Sequence, residues 1–294
     1  MNSRSTLRKE NEVGARDRCV KWLMALAIVG VIIAAIVMGS YRRSAGPAQG
    51  LVFQGAVRTP AQSGRQTLRV ASYNIHGGRD GRGNDNLDLT ADCLRDADLI
   101  ALNEVNSSLW AGNPNQAMAL GERVGVAWLF APAERRWWHD HFGNGCLTSL
   151  PVTYWQRIPL AGPKRGSRRN ILWVQARYQG RNVQVLITHL DRQDDREGQL
   201  QAVARLFLAL TEPCVLLGDL NSREEDPTIQ ELLATPGVQD PVRECLGAAT
   251  PKRIDWVLTR GLRGVKAEIC DHGASDHPCF RVDLEISPGV HASG

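Results

Sequence analysis

Residues 22–39 contain no charged side chain, and this run constrains the chain more than any other feature. Its eighteen residues would rise about 27 Å as a helix, close to the hydrocarbon thickness of a bilayer. No polar stripe breaks the run, so it does not read as a core helix with one wet face. The chain therefore divides into a basic tail (1–21), a transmembrane helix (22–39), a linker (40–66), a folded domain (67–286) and a short tail (287–294). Arg4, Arg8, Lys9, Arg16, Arg18 and Lys21 precede the run, whereas only Arg42 and Arg43 follow closely. By the positive-inside rule the N-terminus is cytoplasmic and the domain lies outside, on a single-pass anchor in the cell membrane. The competing expectation is a cleaved signal peptide, for which Ser44-Ala45-Gly46 is the nearest approach to a small-residue cleavage site.

Of the formal net charge of +4, the tail to Lys21 carries +3 and Arg42 with Arg43 another +2, so the remainder is near −1. The sequence pI of 8.8 thus reflects the membrane flanks, which argues against a domain-wide basic surface for nucleic acid. A hydrophobic content of 43% supplies a sizeable core. Seven scattered cysteines include no Cys-x-x-Cys pair, which excludes zinc-ribbon and thioredoxin-type sites. The six beyond the apolar run either pair in an oxidising compartment or stay as buried thiols.

From about Thr67 onward, strand-like apolar runs recur at 68–73, 98–103, 171–178, 183–189, 214–218, 253–259 and 279–286. Several alternate, as Val183, Val185 and Ile187 do, and this fits sheets with one face buried and the other wet or packed differently. Between them, 193–210 places Leu200, Val203, Ala204, Phe207 and Leu208 at helical spacing, predicting a helix that packs on a sheet. A second helix is expected at Asp226-Pro227, where a capping carboxylate precedes a proline suited to the first turn.

Polar residues gather at the ends of these runs, where a sheet scaffold presents reactive groups. They are Asn74 with His76, Asn103-Glu104, Thr188-His189, Asp219-Leu220-Asn221, Asp255, and Ser275-Asp276-His277. Each alone is an ordinary turn or capping residue, and Asp255 alone is a partner for Arg253. Together they form a set of hard oxygen donors plus imidazoles, which suits magnesium or manganese better than zinc.

In order, spacing and identity these motifs resemble the endonuclease/exonuclease/phosphatase superfamily, which includes deoxyribonuclease-like and sphingomyelinase-like members. The likeness runs from about Thr67 to Ile286. It implies an α/β fold, a four-layer sandwich of two mixed β-sheets flanked by helices. It further implies that Glu104 is the principal Mg²⁺ ligand (Mn²⁺ in its place at need), with Asn74 and Asp276 beside the metal directly or through water. Asp219 would orient or deprotonate the attacking water, assisted by Asn221, which also holds a phosphate oxygen. His277, oriented by Asp255, would contact the scissile phosphate, and His189 would be a second phosphate contact or the acid for the leaving group. Two substrate contacts are implied less sharply: Asn144, within Phe142-Gly143-Asn144-Gly145, and Arg168, within the basic run Lys164-Arg165-Gly166-Ser167-Arg168-Arg169. The pattern departs from the family at Leu150, where a basic residue is common, and at Asn103, where glutamine is more usual. The mixed cationic and aromatic run 135–141 suits base stacking, a lipid interface or simple packing under a loop, with His139 or His141 in the cleft. His272 and His291 read as surface residues.

The expected function is metal-assisted hydrolysis of a phosphodiester or phosphomonoester at a membrane, on a lipid head group, a small phosphate or a nucleic acid. A nuclease acting on DNA or RNA is the alternative, and a non-catalytic phosphate-binding module a second one. No protein partner is legible.

Overall fold

The computed structural model describes residues 3–55, 66–107, 115–137, 139–162, 167–193, 195–270 and 273–288. Part of the expected basic loop (Lys164, Arg165, Gly166), Trp138, His272 and His291 lie outside the described residues. Contacts divide the chain into an N-terminal unit and the remaining domain. The N-terminal unit is one long helix, α1 (Ser3–Ser40), of which 18–40 is long and apolar enough to cross a membrane. Its large apolar side chains are exposed, Trp22 at 71% and Val31 at 69%, which rules out burial as a core helix.

Among its described residues the domain contains fourteen strands. They are β1 (Arg43–Ser44), β2 (Ala48–Gly50), β3 (Leu68–Asn74), β4 (Leu99–Asn106), β5 (Ala127–Arg136), β6 (His139–Thr148) and β7 (Val152–Pro159). There follow β8 (Asn170–Tyr178), β9 (Arg181–His189), β10 (Cys214–Asp219), β11 (Val238–Gln239), β12 (Asp255–Arg260), β13 (Leu262–Cys270) and β14 (Cys279–Ile286). Its helices are α2 (Leu87–Leu94), α3 (Gln116–Val124), α4 (Arg196–Ala209), α5 (Pro227–Ala234) and α6 (Pro241–Leu246). One seven-stranded sheet has the order β1-β5-β6-β4-β3-β14-β13, the other β11-β12-β10-β9-β8-β7-β2. Both mix parallel pairs (β3 with β4, β9 with β10) and antiparallel ones.

Alternation along the strands decides the layers. Val70, Ala101, Val185, Ile187, Val215 and Leu217 fill the core between the sheets. The opposite faces are covered by helices: Tyr73, Ile100 and Leu102 pack with α2 and α3, and Leu186, Leu216 and Leu258 with α4 and α5. The result is the expected helix-sheet-sheet-helix sandwich. In α4 the buried residues include Leu200, Val203, Ala204 and Phe207, the predicted stripe. In α5 the Asp226 carboxylate accepts from Thr228 N, with Pro227 in the first turn.

Two expectations are corrected. Residues 40–66 are not a free linker throughout: β1 pairs with β5, β2 with β7, Phe53 enters the core between the sheets, and Gln54 bridges to Trp128. This strap closes one side of the sandwich, so the folded part begins near Arg42 rather than Thr67. The apolar runs of the sequence do not predict β5, β6, β7 or β13, for local reasons visible in two of them. β6 is rich in glycine because its neighbour lies close: a Cβ on Gly143 would sit 2.3 Å from Ala131 O. β13 is an edge strand with exposed charged residues.

No two of the seven cysteines are joined by a disulfide, and Cys93, Cys270 and Cys279 are buried among the residues under α2 and α3. Burial pushes the Cys279 thiol well above its ordinary range.

Candidate active site

Strand register assembles the site before any side chain is considered. In the second sheet Asp219 ends β10 directly opposite His189 on β9 and Asp255 on β12, so three motifs far apart in sequence lie side by side. The close approach of β9 and β10 there requires Gly218: with φ +136, a Cβ would stand 1.9 Å from Thr188 O. In the first sheet Asn74 ends β3 opposite Asn103 on β4. A register shift between Leu102 and Val105 then marks a bulge. Glu104 occupies it at φ +56, a left-handed conformation that costs a non-glycine residue about 1–3 kcal/mol and re-aims its side chain. Asn221 and His76 also have positive φ. Strained backbone thus clusters where the polar groups meet.

Asn74 Nδ2 donates to Asp219 Oδ2 (3.1 Å) and Glu104 Oε1 (3.4 Å), joining the two sheets. Its oxygen accepts from His76 N at 3.1 Å, so Asn74 holds the two carboxylates by donation. His189 Nε2 lies 3.5 Å from Asp219 Oδ2 and 3.9 Å from Glu104 Oε1. His277 Nε2 lies 3.9 Å from the same Asp219 oxygen, and its Nδ1 is 2.7 Å from Asp255 Oδ2. Asn221 donates its backbone N–H to Asp219 Oδ1 (2.8 Å) and its side-chain amide to Leu190 O (2.9 Å). Asp276 is at the rim, 3.5 Å from His76 Nδ1, and lines with Glu104, His76, His141, Phe142 and Arg169 a cleft of ≈ 570 Å³. The expected Arg253 partner of Asp255 pairs instead with Asp240.

The two imidazoles are held in opposite states. Burial is the largest single influence on His277 and disfavours its charge. The hydrogen bond and charge of Asp255, with Asp219 and Asp276, outweigh it and raise the pKa to about 9. For His189 burial and the neighbouring Arg169 both act downward, well below the ordinary value. Arg169 Nη1 lies 3.0 Å from His189 Nδ1, and a guanidinium only donates, so Nδ1 accepts and the proton sits on Nε2. That Nε2 is buried with no hydrogen-bond partner among the described residues, beside the carboxylates of Asp219 and Glu104. Asp219 is fully buried; desolvation first, then the charge of Asp255, raise its pKa above the ordinary carboxylate range, against the pull of Asn221 N–H and His277.

Two expected substrate contacts sit elsewhere. Asn144 is 2% exposed and fully engaged: Oδ1 accepts from Asn103 Nδ2 (2.8 Å), and Nδ2 donates to Asn170 Oδ1 (2.8 Å) and Asn170 O (3.2 Å). It supports the site from beneath, its side chain reaching from β6 in one sheet to β8 in the other. Arg168 gives its backbone N–H to Glu134 Oε2 (3.4 Å), and it is the adjacent Arg169 that reaches His189. Both lie in the segment just before β8, and the backbone course there separates two arginines that composition treats alike.

Asn103, which the sequence marks only as a departure from the family pattern, is central. Its Oδ1 accepts from Asp219 N (3.0 Å), while its Nδ2 donates to Asn144 and to Thr188 O (3.1 Å). One buried amide thus ties the strand bearing Glu104 to those bearing His189 and Asp219. Ser275 adds a similar tie, donating to Asn74 O at 2.7 Å.

Among the described residues, ligand-type atoms of Asp219, Asp255 and His277 lie within 4.8 Å of one another, close enough to meet one cation. His277 already spends Nδ1 on Asp255 and is held protonated, so this trio fits a proton relay better than a metal shell. Glu104 and Asp276 leave carboxylate oxygens facing the cleft, as a magnesium ion with one or two protein carboxylates requires.

A model of the Endonuclease/Exonuclease/phosphatase family matches residues 71–277. Among solved structures, the endonuclease/exonuclease/phosphatase from Beutenbergia cavernae is similar, with a TM-score of 0.62 and 24% identity over 76% of this chain and 72% of that one. A Bacteroides vulgatus endonuclease/exonuclease/phosphatase gives 0.60 and 14%, over 76% and 100%. TDP2 from C. elegans gives 0.55 and 19%, over 74% and 75%. At these identities the likeness is one of fold. No curated protein matches the chain.

Proposed function

The chain belongs to the endonuclease/exonuclease/phosphatase family, and on that premise we propose that it is a membrane-anchored, magnesium-dependent phosphoesterase. The family is typically one of metal-dependent phosphoesterases and nucleases. The observation that carries the proposal is the meeting of Asn74, Glu104, His189 and His277 around the buried Asp219, with adjacent atoms 3.1–3.9 Å apart, where Glu104 opens onto the cleft.

Asp219, buried and raised in pKa, is suited to take the proton from an attacking water near neutral pH. Asn221 N–H and Asn74 hold its two oxygens in place. As water's oxygen bonds to phosphorus its proton passes to Asp219, the bond to the leaving oxygen breaks, and that oxygen takes a proton from solvent, yielding a phosphate monoester and an alcohol from a diester. His277, charged through Asp255, donates Nε2–H to a phosphate oxygen. His189 donates its own Nε2–H while remaining neutral, which makes it a phosphate contact rather than the acid. Glu104 and Asp276 would hold Mg²⁺ (or Mn²⁺), which supplies charge neutralisation at the phosphate oxygens. The length and apolar composition of α1 support a single-pass anchor, and the basic residues that precede the apolar run support a cytoplasmic N-terminus with the domain outside. A nuclease is the second reading, favoured by Phe142, His141, Arg169 and Arg192 in the cleft wall.

The test is hydrolysis of bis(p-nitrophenyl) phosphate by the detergent-purified full chain. Turnover should require Mg²⁺ or Mn²⁺, stop with chelator, and fall about 10²–10³-fold in Asp219→Asn. A wild type inert with both metals, on this ester and on a panel of natural phosphodiesters, would refute the proposal.

A further inference from the structure

The cleft wall includes a residue that arrives directly from the apolar helix. Arg42 follows Ser40, the last residue of α1, by two positions, and it lines the same cleft as Glu104, Asp276 and Arg169. Its Nη1 donates to Ser167 Oγ at 2.9 Å and lies 3.7 Å from Glu134 Oε2, a carboxylate whose side chain is 3% exposed. The Arg42 side chain remains 45% exposed, with guanidinium donors beyond Nη1 left for a ligand. Directly behind it, β1 fixes the strap to β5 through the pairs Arg43↔Arg135 and Ser44↔Glu134.

Depth follows from the covalent chain alone. Two residues reach at most about 7 Å, and the head-group layer on each side of a bilayer is about 5–7 Å thick. An arginine two residues beyond a spanning helix therefore stands at the level of lipid phosphates. A lipid phosphodiester is already at that depth, whereas a nucleic acid must approach the surface with a domain whose charge beyond the membrane flanks is near −1.

Resting on the phosphoesterase reading above, we infer that the substrate is a phospholipid of the anchoring bilayer, and that Arg42 binds lipid oxygens at the bilayer surface beside the scissile phosphate, which a soluble ester lacks, and thereby determines specificity. The hydrolysis is the same: water bonds to phosphorus and gives its proton to Asp219, the lipid P–O bond breaks, and the leaving oxygen takes a proton from solvent.

The experiment uses the full chain in vesicles of phosphatidylcholine, sphingomyelin or phosphatidylglycerol, with released products read by mass spectrometry. Bis(p-nitrophenyl) phosphate and a DNA oligonucleotide serve as soluble substrates. Wild type should hydrolyse at least one vesicle lipid. Arg42→Ala should raise its KM about tenfold, as expected for one lost contact to a charged group, and lower the ratio of lipid to soluble-ester turnover, with Arg42→Lys partly restoring it. In a second variant, twelve Gly/Ser residues inserted between Tyr41 and Arg42 would let the cleft stand about 17–21 Å off. Lipid turnover should then fall several-fold while the soluble ester is cleaved as before. The inference is overturned if the soluble ester or DNA is cleaved but no lipid is, if neither variant changes the ratio, or if both substrates suffer equally in Arg42→Ala. A chain inert on every substrate removes the phosphoesterase reading and this inference with it.

Discussion

Replacing Asn103 by alanine should damage both stability and catalysis without touching any group that meets substrate. The side chain is fully buried and uses three hydrogen bonds, from Asp219 N (3.0 Å) and to Asn144 Oδ1 (2.8 Å) and Thr188 O (3.1 Å). Truncation leaves one N–H and two carbonyl oxygens without that partner in a site too enclosed for bulk water. An unsatisfied buried group costs about 1–3 kcal/mol. Asn144 keeps its bonds to Asn170, and Thr188 O sits in a sheet, so these two relax at the lower end. The orphaned Asp219 N–H has no such alternative. A total near 3 kcal/mol results, for a residue lacking any apolar packing role. Because Asp219 and His189 are then held only by their own strands, kcat should fall about tenfold or more, with KM little changed. Urea or thermal unfolding in detergent, and bis(p-nitrophenyl) phosphate kinetics on the same preparation, measure the two effects. Asn103→Asp keeps the acceptor but loses the donors, and should fall between wild type and alanine in kcat at low pH. A variant within about 0.5 kcal/mol of wild type and equal in kcat would refute the idea that this amide locks the two sheets at the site.

Other outcomes follow from the same structure. The folded pKa of His277 is raised to about 9 by Asp255, Asp219 and Asp276 against burial, so its contribution to stability is complete below about 6.5 and is lost as pH rises through 9. Asp255→Asn should flatten this part of the melting-temperature profile; an unchanged slope would contradict the pairing. A chain beginning at Thr67 lacks β1, β2 and Phe53, whose burial in the core stabilises by about 1.5–3 kcal/mol. It should melt several degrees below one beginning at Arg42, and equal melting would show that the strap adds nothing to the domain.

The sequence by itself determined those features that depend on local period and local chemistry. An uncharged run such as 22–39 has no place in a core of this kind, and α1 exposes it. Leu200, Val203 and Phe207 at helical spacing, and the Asp226-Pro227 cap, specified α4 and α5 through bonds within a few residues. Polar residues at the strand ends marked the site because an apolar strand must stop where its polar groups meet water or a ligand. Tertiary structure alone decided how those groups are used. The in-register pairing of β9, β10 and β12 makes neighbours of His189, Asp219 and Asp255 across 67 residues of chain. The same non-local pairing buries Asn144, selects Arg169 over Arg168, and turns residues 43–54 from apparent linker into a strap. The protonation of the two histidines is likewise nowhere in the local pattern: one imidazole faces a carboxylate and the other a guanidinium, and only the packing of two sheets determines which.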